Sequence, residues 1–135
     1  MDGVILTPLK QIDNPKGNIF HAMKKSDNGF DGFGEAYFST VNKSDIKGWK
    51  KHTKMTLNLV VPMGEIEFVV YDGEMEAFFS VVLSKSNYQR LTVKAGLWMA
   101  FRGLDEHNLL LNLASIEHDP LEAMNMDLEK LSYAW

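Results

Sequence analysis

Apolar and polar residues alternate with a period of two along much of this chain, and few folds are compatible with that pattern. It is clearest in the stretch EIEFVVY, where Ile66, Phe68 and Val70 fall on one face of an extended strand. Similar stretches recur about every 8 to 12 residues, which is typical of a β-sandwich or β-barrel. Asp72 and Gly73 follow the quoted stretch and predict a hairpin turn, because glycine tolerates a positive φ. We therefore predict an all-β fold.

The strand pattern extends over most of the chain. The predicted strands are GVILTPL, EAYFSTV, MTLNLVV, EIEFVVY, AFFSVVL, YQRLTV, LWMAF and NLLLNLA. The tail HDPLEAMNMDLEKLSYAW differs, because Asp119 and Pro120 suit a helix N-cap and a first helical turn. We therefore predict one short C-terminal helix.

Composition bounds the domain organisation and the location of the protein. A chain of 135 residues, 45% hydrophobic and 24% charged, suits a single folded domain over residues 1–135. The absence of cysteine excludes disulfide bonds and thiolate metal sites. No apolar run reaches the roughly 20 residues of a membrane-spanning helix, and MDGVILTPLK does not resemble a signal peptide. We expect a cytoplasmic protein without a membrane partner.

The charge is negative overall but locally positive. A net charge of -4 argues against a nucleic-acid partner, since such binding neutralises phosphates with many basic residues. Within IKGWKKHTK, however, Lys47, Lys50, Lys51 and Lys54 supply four of the 14 basic residues of the chain. This run is either a solvated surface loop or a local site for an anion such as phosphate or pyrophosphate.

Alternation along residues 49–61 divides the side chains between two faces. One face is apolar and carries Trp49, Met55, Leu57, Leu59 and Val61. The other face is polar and carries Lys50, His52, Lys54, Thr56 and Asn58. On the outside of a sheet the polar face would be ordinary surface, whereas inside a small barrel it would line a ligand pocket. Alternation alone leaves both interpretations open.

The segment IKGWKKHTKMTLNLVVPMGEIEFVVYD resembles the central motif of cupin-type enzymes of nucleotide-sugar biosynthesis. FGEAYFSTVNKSDIKGW is similar to the strand and loop that enter this motif, and VKAGLWMAF resembles a later segment of the same family. The resemblance implies a single cupin, or jelly-roll, domain and a homodimer. Two branches fit, the dTDP-4-dehydrorhamnose 3,5-epimerases and the shorter dTDP-4-keto-6-deoxyhexose 3,4-ketoisomerases, and the length and ending of this chain favour the second.

The resemblance also implies the chemistry. In both branches a histidine removes a proton from a carbon beside the C4 carbonyl of the sugar, and the enediolate is then reprotonated. His52 corresponds to the second histidine of the ketoisomerase His-x-His motif, while Lys50 replaces the first; these two are the predicted catalytic residues. The predicted substrate-binding residues are Lys47, which stands at a family arginine, with Lys54, Asn58 and Arg102.

Several positions depart from the family pattern. Met99 replaces the later family histidine, and the tyrosine acid of the epimerases would fall near Leu111 and is missing there. The metal ligands of metal-binding cupins are largely replaced as well, so no metal and no cofactor is expected. For His118 and Asp119 we expect a role in a turn or a helix cap.

Three hypotheses follow. The first is an isomerase or epimerase of a dTDP-linked 4-keto-6-deoxy sugar in surface-polysaccharide biosynthesis. The second is a cupin that binds a nucleotide sugar or similar anion without turning it over. The third is an unrelated small β-barrel with a structural or partner-binding role.

Overall fold

The computed structural model describes all 135 residues of the chain, which form twelve β-strands and one short 3-10 helix. In chain order the strands are β1 (Val4–Pro8), β2 (Gln11–Ile12), β3 (Ile19–Phe20), β4 (Glu35–Thr40), β5 (Ile46–His52), β6 (Leu57–Met63), β7 (Glu65–Asp72), β8 (Ala77–Ser84), β9 (Gln89–Val93), β10 (Trp98–Gly103), β11 (Leu109–Ala114) and β12 (Ala123–Asn125). The 3-10 helix is Leu128–Lys130. The prediction of an all-β chain is confirmed.

The strands form two five-stranded antiparallel sheets. The first sheet has the order β1-β9-β6-β11-β4, and the second has the order β12-β5-β10-β7-β8. Strands β2 and β3 pair in a separate small ribbon. From β4 to β12 the chain changes sheet at every step except the β7–β8 hairpin. This crossing pattern places two sheets face to face around one core, as in a jelly roll.

The core between the sheets follows the predicted alternation. A cluster of 15 buried residues includes Leu57 and Leu59 from β6 with Ile66 and Phe68 from β7. The members of β7 that alternate with these, such as Val69, belong to a second cluster on the outer face of the second sheet. The predicted faces of EIEFVVY are therefore confirmed, and both faces of β7 are covered.

The C-terminal tail covers that outer face. The predicted short C-terminal helix does not start at Asp119, because the helical residues of the tail are those of the 3-10 helix Leu128–Lys130. Residues 119–122 form a single turn, in which the Asp119 carbonyl accepts the Glu122 amide, and β12 follows at once. The tail then lies across Trp49, Val69 and Ala100. Its packed apolar side chains are Met126, Leu128, Leu131, Tyr133 and Trp135. Their spacing, mostly of two, suits an extended segment on a flat sheet better than a helix.

Two further local predictions are modified. Residues 49–61 do not form one strand, because β5 ends at His52 and the chain crosses to the other sheet before Leu57. The β7–β8 hairpin is present, with Asp72 paired to Ala77, but the residue with positive φ is Glu76 and not Gly73. Apart from the short 3-10 turn the chain forms no helix, and none that could span a bilayer.

Candidate active site

A cavity of about 1070 Å³ opens between the two sheets. Its walls come from β4, β6 and β11 of the first sheet and from β5 and β10 of the second. Residues 125–130 of the tail complete one side. A volume of this size can enclose much of a small organic ligand.

A bulge in β5 determines which side chains face the cavity. Lys50 pairs with Met99 and Lys47 with Phe101, so Gly48 and Trp49 together lie opposite the single residue between them on β10. Such an extra residue changes the alternation of side chains along a strand. Lys47 and Lys50, three positions apart, therefore both line the cavity, while Trp49 is buried in the outer cluster.

Gly48 is required by this bulge. Its φ is 142°, and a Cβ atom at this position would lie 2.5 Å from the Cβ of Ala100 and 2.9 Å from the carbonyl oxygen of Met99. No side chain can be accommodated at these distances without displacement of β10.

His52, at the end of β5, lines the cavity and is paired with a buried carboxylate. Its Nδ1 is hydrogen-bonded to Oε1 of Glu122. The pairing of β12 with β5, in which Ala123 lies opposite His52, places Glu122 at this point. Nε2 of His52 makes no hydrogen bond within the protein, so one ring nitrogen is oriented by the carboxylate and the other remains for a ligand.

Glu122 is held in its ionised form. Only 3% of the residue is exposed, and burial by itself would raise the pKa of the carboxyl group. The hydrogen bond with His52 and those from the backbone amides of Lys54 and Met55 outweigh burial and lower the pKa to about 2. The amides of Thr53, Lys54 and Met55 all donate to Oε2, at 3.0, 3.0 and 3.1 Å. The turn after β5 is therefore a cradle for this carboxylate.

The charged groups around the cavity have both signs. Lys47 Nζ donates to the carbonyl oxygen of Thr40 at 2.6 Å, and the side chain of Lys50 is exposed. On the tail side, Lys130 lies with Asp127 and Glu129 in the cavity wall. Three lysines therefore surround an opening whose deeper wall is mainly apolar.

Of the predicted site residues, the structure brings Lys47, Lys50 and His52 together and places Lys54, Asn58 and Arg102 elsewhere. Lys54 is exposed beyond the end of β5, and only its backbone amide takes part, through Glu122. Arg102 pairs with Glu67 at 2.8 Å and lies 5.9 Å from the ring of Trp135 on the outer side of the sheet.

Asn58 is buried on the other side of β6 in a structural network. Its Oδ1 accepts hydrogen bonds from Arg90 at 3.2 Å and from Thr92 at 2.6 Å, and its Nδ2 donates to the carbonyl oxygen of Gly29. Arg90, which is fully buried, also pairs with Asp27 at 3.1 Å. This network fastens the loop before β4 to the sheet, and Asn58 does not line the cavity.

Three residues of the site were not predicted from the sequence: Tyr37 and Asn112, which line the cavity, and Glu122, which is hydrogen-bonded to His52. Glu122 was not predicted because neither spacing nor pattern links position 122 to a histidine 70 residues away. Tyr37 of β4 and Asn112 of β11 lie directly opposite each other across the strand pair. For Asn112 a signal existed, because it is the one polar residue within the apolar stretch LLLNLA.

Comparisons with known proteins agree with this architecture. A dTDP sugar isomerase from Desulfovibrio desulfuricans G20 is 31% identical to this chain, with a TM-score of 0.93 over 99% of this chain and 91% of that one. The 3,4-ketoisomerase QdtA from Thermoanaerobacterium thermosaccharolyticum is 22% identical, with a TM-score of 0.80 over 92% and 88%. ChmJ, a 3'-monoepimerase from Streptomyces bikiniensis, is 16% identical, with a TM-score of 0.86 over 98% and 75%. The last two matches show the fold alone.

These neighbours are cupin-type proteins, so the predicted cupin fold is confirmed. No curated protein matches the sequence. The model of the family described as "FdtA: WxcM-like, C-terminal" matches residues 2–130, nearly the whole chain. The protein therefore belongs to this FdtA, WxcM-like family.

Proposed function

We propose that the protein is an isomerase or epimerase of a dTDP-linked 4-keto-6-deoxy sugar. The observation that carries the proposal is the cavity-lining imidazole of His52, whose Nδ1 is held by the buried and ionised Glu122. Sugar chemistry beside a ketone requires one group that takes and returns a proton near neutral pH, and an oriented histidine meets that requirement. The similar proteins named above, which are dTDP-sugar isomerases and epimerases, support an enzyme of this kind.

The proposed reaction begins with transfer of a proton from C3 of the sugar to Nε2 of His52. The C3–H bond breaks, its electrons form a C3=C4 double bond, and the C4 carbonyl oxygen becomes the negative oxygen of an enediolate. Glu122 stabilises the imidazolium that forms and keeps Nδ1 as the donor nitrogen. To form the 3-keto sugar, the proton of the C3 hydroxyl moves to the C4 oxygen, the electrons of the C3 oxygen form the new C3 carbonyl, and His52 returns its proton to C4. Return of the proton to the other face of C3 re-forms the C4 carbonyl and yields an epimer.

The lysines supply positive charge for the diphosphate of such a substrate. Lys47, Lys50 and Lys130 lie in the cavity wall, and ammonium groups attract phosphate oxygens even without the paired geometry of arginine. We assign Lys50 mainly to this role and to support of His52. Neither the proposed proton transfer nor this recognition calls for a metal or a cofactor.

Between the two reactions we favour 3,4-ketoisomerisation. The sequence resembles the shorter ketoisomerases, and the relative with 31% identity is named a dTDP sugar isomerase. Products of this kind would serve the synthesis of surface polysaccharides.

A second candidate is a cupin that binds the nucleotide sugar without turning it over. The observation that favours it is the presence of Lys50 and Met99 in the cavity wall at positions where the resembled enzymes have histidines. In this case His52 and the lysines would serve only to hold the ligand.

Proton exchange distinguishes the two candidates. The protein is incubated with dTDP-4-keto-6-deoxyglucose in D2O, and loss of the C3 and C5 proton signals is followed by NMR, beside a His52→Asn variant. We expect exchange at C3 with the wild-type chain and a large loss with the variant. Exchange at C5 as well would indicate 3,5-epimerisation. Binding without exchange at either carbon would support the second candidate. Unchanged exchange in the His52→Asn variant would reject His52 as the residue that takes the proton.

We also propose that the protein forms a homodimer. Leu110 and Ala114 of β11 belong to the core, so the alternating Leu109, Leu111 and Leu113 lie on the outer face of the sheet and keep partial exposure. Phe38 lies opposite Leu111 on the edge strand β4 and is 65% exposed. A contiguous apolar face of this kind is a candidate protein interface.

A further inference from the structure

The wall of the cavity opposite His52 carries an unusual pair of polar side chains. Tyr37 and Asn112 are direct cross-strand partners on β4 and β11, in the first sheet, whereas His52 belongs to the second. Both line the cavity. Asn112 is only 3% exposed, while Tyr37 is 44% exposed.

Within the protein, the Tyr37 hydroxyl group lacks an acceptor and the Asn112 side-chain carbonyl lacks a donor. Nδ2 of Asn112 donates to the phenol oxygen of Tyr37 at 2.8 Å. The phenol oxygen therefore acts as an acceptor, and its own O–H donates to no other protein group. Oδ1 of Asn112 is buried and has no hydrogen-bond partner. Buried polar atoms are almost always paired, so an orphaned carbonyl in a cavity wall points to a ligand that donates to it.

The pair thus presents one donor, the Tyr37 hydroxyl, beside one acceptor, Oδ1 of Asn112. A ligand that satisfies both must carry an acceptor next to a donor. An α-hydroxy ketone has this arrangement, because the ketone oxygen accepts and the hydroxyl on the adjacent carbon donates.

We propose that Tyr37 and Asn112 together bind the hydroxyketone edge of the sugar. Tyr37 donates to the C4 carbonyl oxygen, and Asn112 Oδ1 accepts from the C3 hydroxyl. This assignment rests on the proposed function, and it deepens it by naming the group that faces His52 across the substrate. As negative charge develops on the C4 oxygen, the hydrogen bond from Tyr37 strengthens, which stabilises the enediolate. Tyr37 is then a catalytic residue, and Asn112 is the residue that positions its proton.

The test compares four variants in two measurements. Binding of dTDP and of dTDP-4-keto-6-deoxyglucose is measured by calorimetry, and C3 proton exchange is measured by NMR. The variants are Tyr37→Phe, Asn112→Asp, Asn112→Leu and Tyr71→Phe. Tyr71→Phe is the matched control, since Tyr71 packs in the outer cluster and does not line the cavity.

We expect Tyr37→Phe to bind dTDP within about 3-fold of wild type and to slow C3 exchange by roughly 10²-fold, as loss of an oxyanion donor does. Asn112→Asp should slow exchange similarly although Tyr37 remains, because the carboxylate captures the phenol proton and turns it away from the sugar. Asn112→Leu removes the amide while keeping a similar side-chain volume. It should weaken the binding of dTDP-4-keto-6-deoxyglucose about 10-fold more than it weakens the binding of dTDP. Tyr71→Phe should behave as wild type.

The outcomes separate this proposal from the proposed function. If wild type exchanges the C3 proton and the Tyr37 and Asn112 variants match Tyr71→Phe, the pair is rejected while the enzyme function stands. If wild type shows no exchange but these variants lose sugar affinity selectively, the isomerase function is rejected and the pair stands as the sugar-binding group. If wild type shows no proton exchange and binds dTDP-4-keto-6-deoxyglucose no more tightly than dTDP, both the isomerase function and the role of the pair are rejected.

Discussion

At the scale of single residues, the defining contact joins His52 to a carboxylate 70 residues further along the chain. Glu122 does more than orient the ring, because three consecutive amides of the turn after β5 donate to its second oxygen. The same side chain therefore organises the proposed base and ties the tail to β5. Loss of its charge should affect both activity and stability.

Replacement of Glu122 by Gln tests this double role. The folded chain holds the pKa of Glu122 at about 2, below the ordinary value of 4.5, so the stabilisation is complete above pH 4.5 and is lost as the pH falls towards 2. A difference of this size corresponds to about 3 kcal/mol at neutral pH. We expect urea unfolding to show that Glu122→Gln is less stable at pH 7 by a few kcal/mol and that its stability declines less steeply between pH 4.5 and 2.

The matched control is Glu106→Gln. Glu106 pairs with Lys43 at 3.3 Å on the surface, with 73% of its side chain exposed. Such a pair contributes about 0 to 1 kcal/mol, so this variant should follow the wild-type stability curve. If Glu122→Gln also followed that curve throughout, Glu122 would have no special stabilising role.

At the scale of secondary-structure elements, the β5 bulge decides the composition of the site. Without it, regular alternation would direct Lys47 and Lys50 to opposite faces of the sheet. With the bulge, both lysines line the cavity. Trp49 packs under the tail, where its ring centroid lies 6.1 Å from that of Trp135.

Gly48→Ala tests whether the bulge depends on the close approach to β10. The added methyl would lie 2.5 Å from the Cβ of Ala100. Gly17→Ala is the control, because its φ of 135° is similar and nothing lies within 4 Å of the added atom. We expect Gly48→Ala to lose about 1 to 3 kcal/mol more than Gly17→Ala in chemical unfolding, as an overpacked site does. Equal losses would mean that only the backbone angle matters at position 48.

The elements themselves were largely predictable, whereas their assembly was not. Each of the eight predicted segments contains a strand, because side-chain alternation is a local property of an extended backbone. Strands β2, β3 and β12 have only two or three residues, too few for a period to be recognised. The prediction of a helix start at Asp119 was wrong because Asp119 and Pro120 suit a turn as well as a helix start.

At the scale of the whole molecule, the outer face of β11 and β4 is the surface that the proposed homodimer would bury. Phe38→Glu places a charge in that apolar face. We expect sedimentation to give wild type twice the chain mass of 15.3 kDa and this variant a mass near that of one chain. Met75→Glu is the control, since Met75 is 74% exposed on the β7–β8 hairpin, away from this face. A wild-type mass near that of one chain would reject the proposed homodimer.

The amino-acid sequence was sufficient to predict the class of the fold, the inward face of strands such as β7 and the cationic run that contains Lys47, Lys50 and His52. These depend on neighbours in the chain, through side-chain alternation and local charge. The folded structure was needed to show that Glu122 orients His52 and that Asn112 contacts Tyr37. Both contacts join strands that are distant in sequence, and strand register, which no local pattern records, sets which side chains meet.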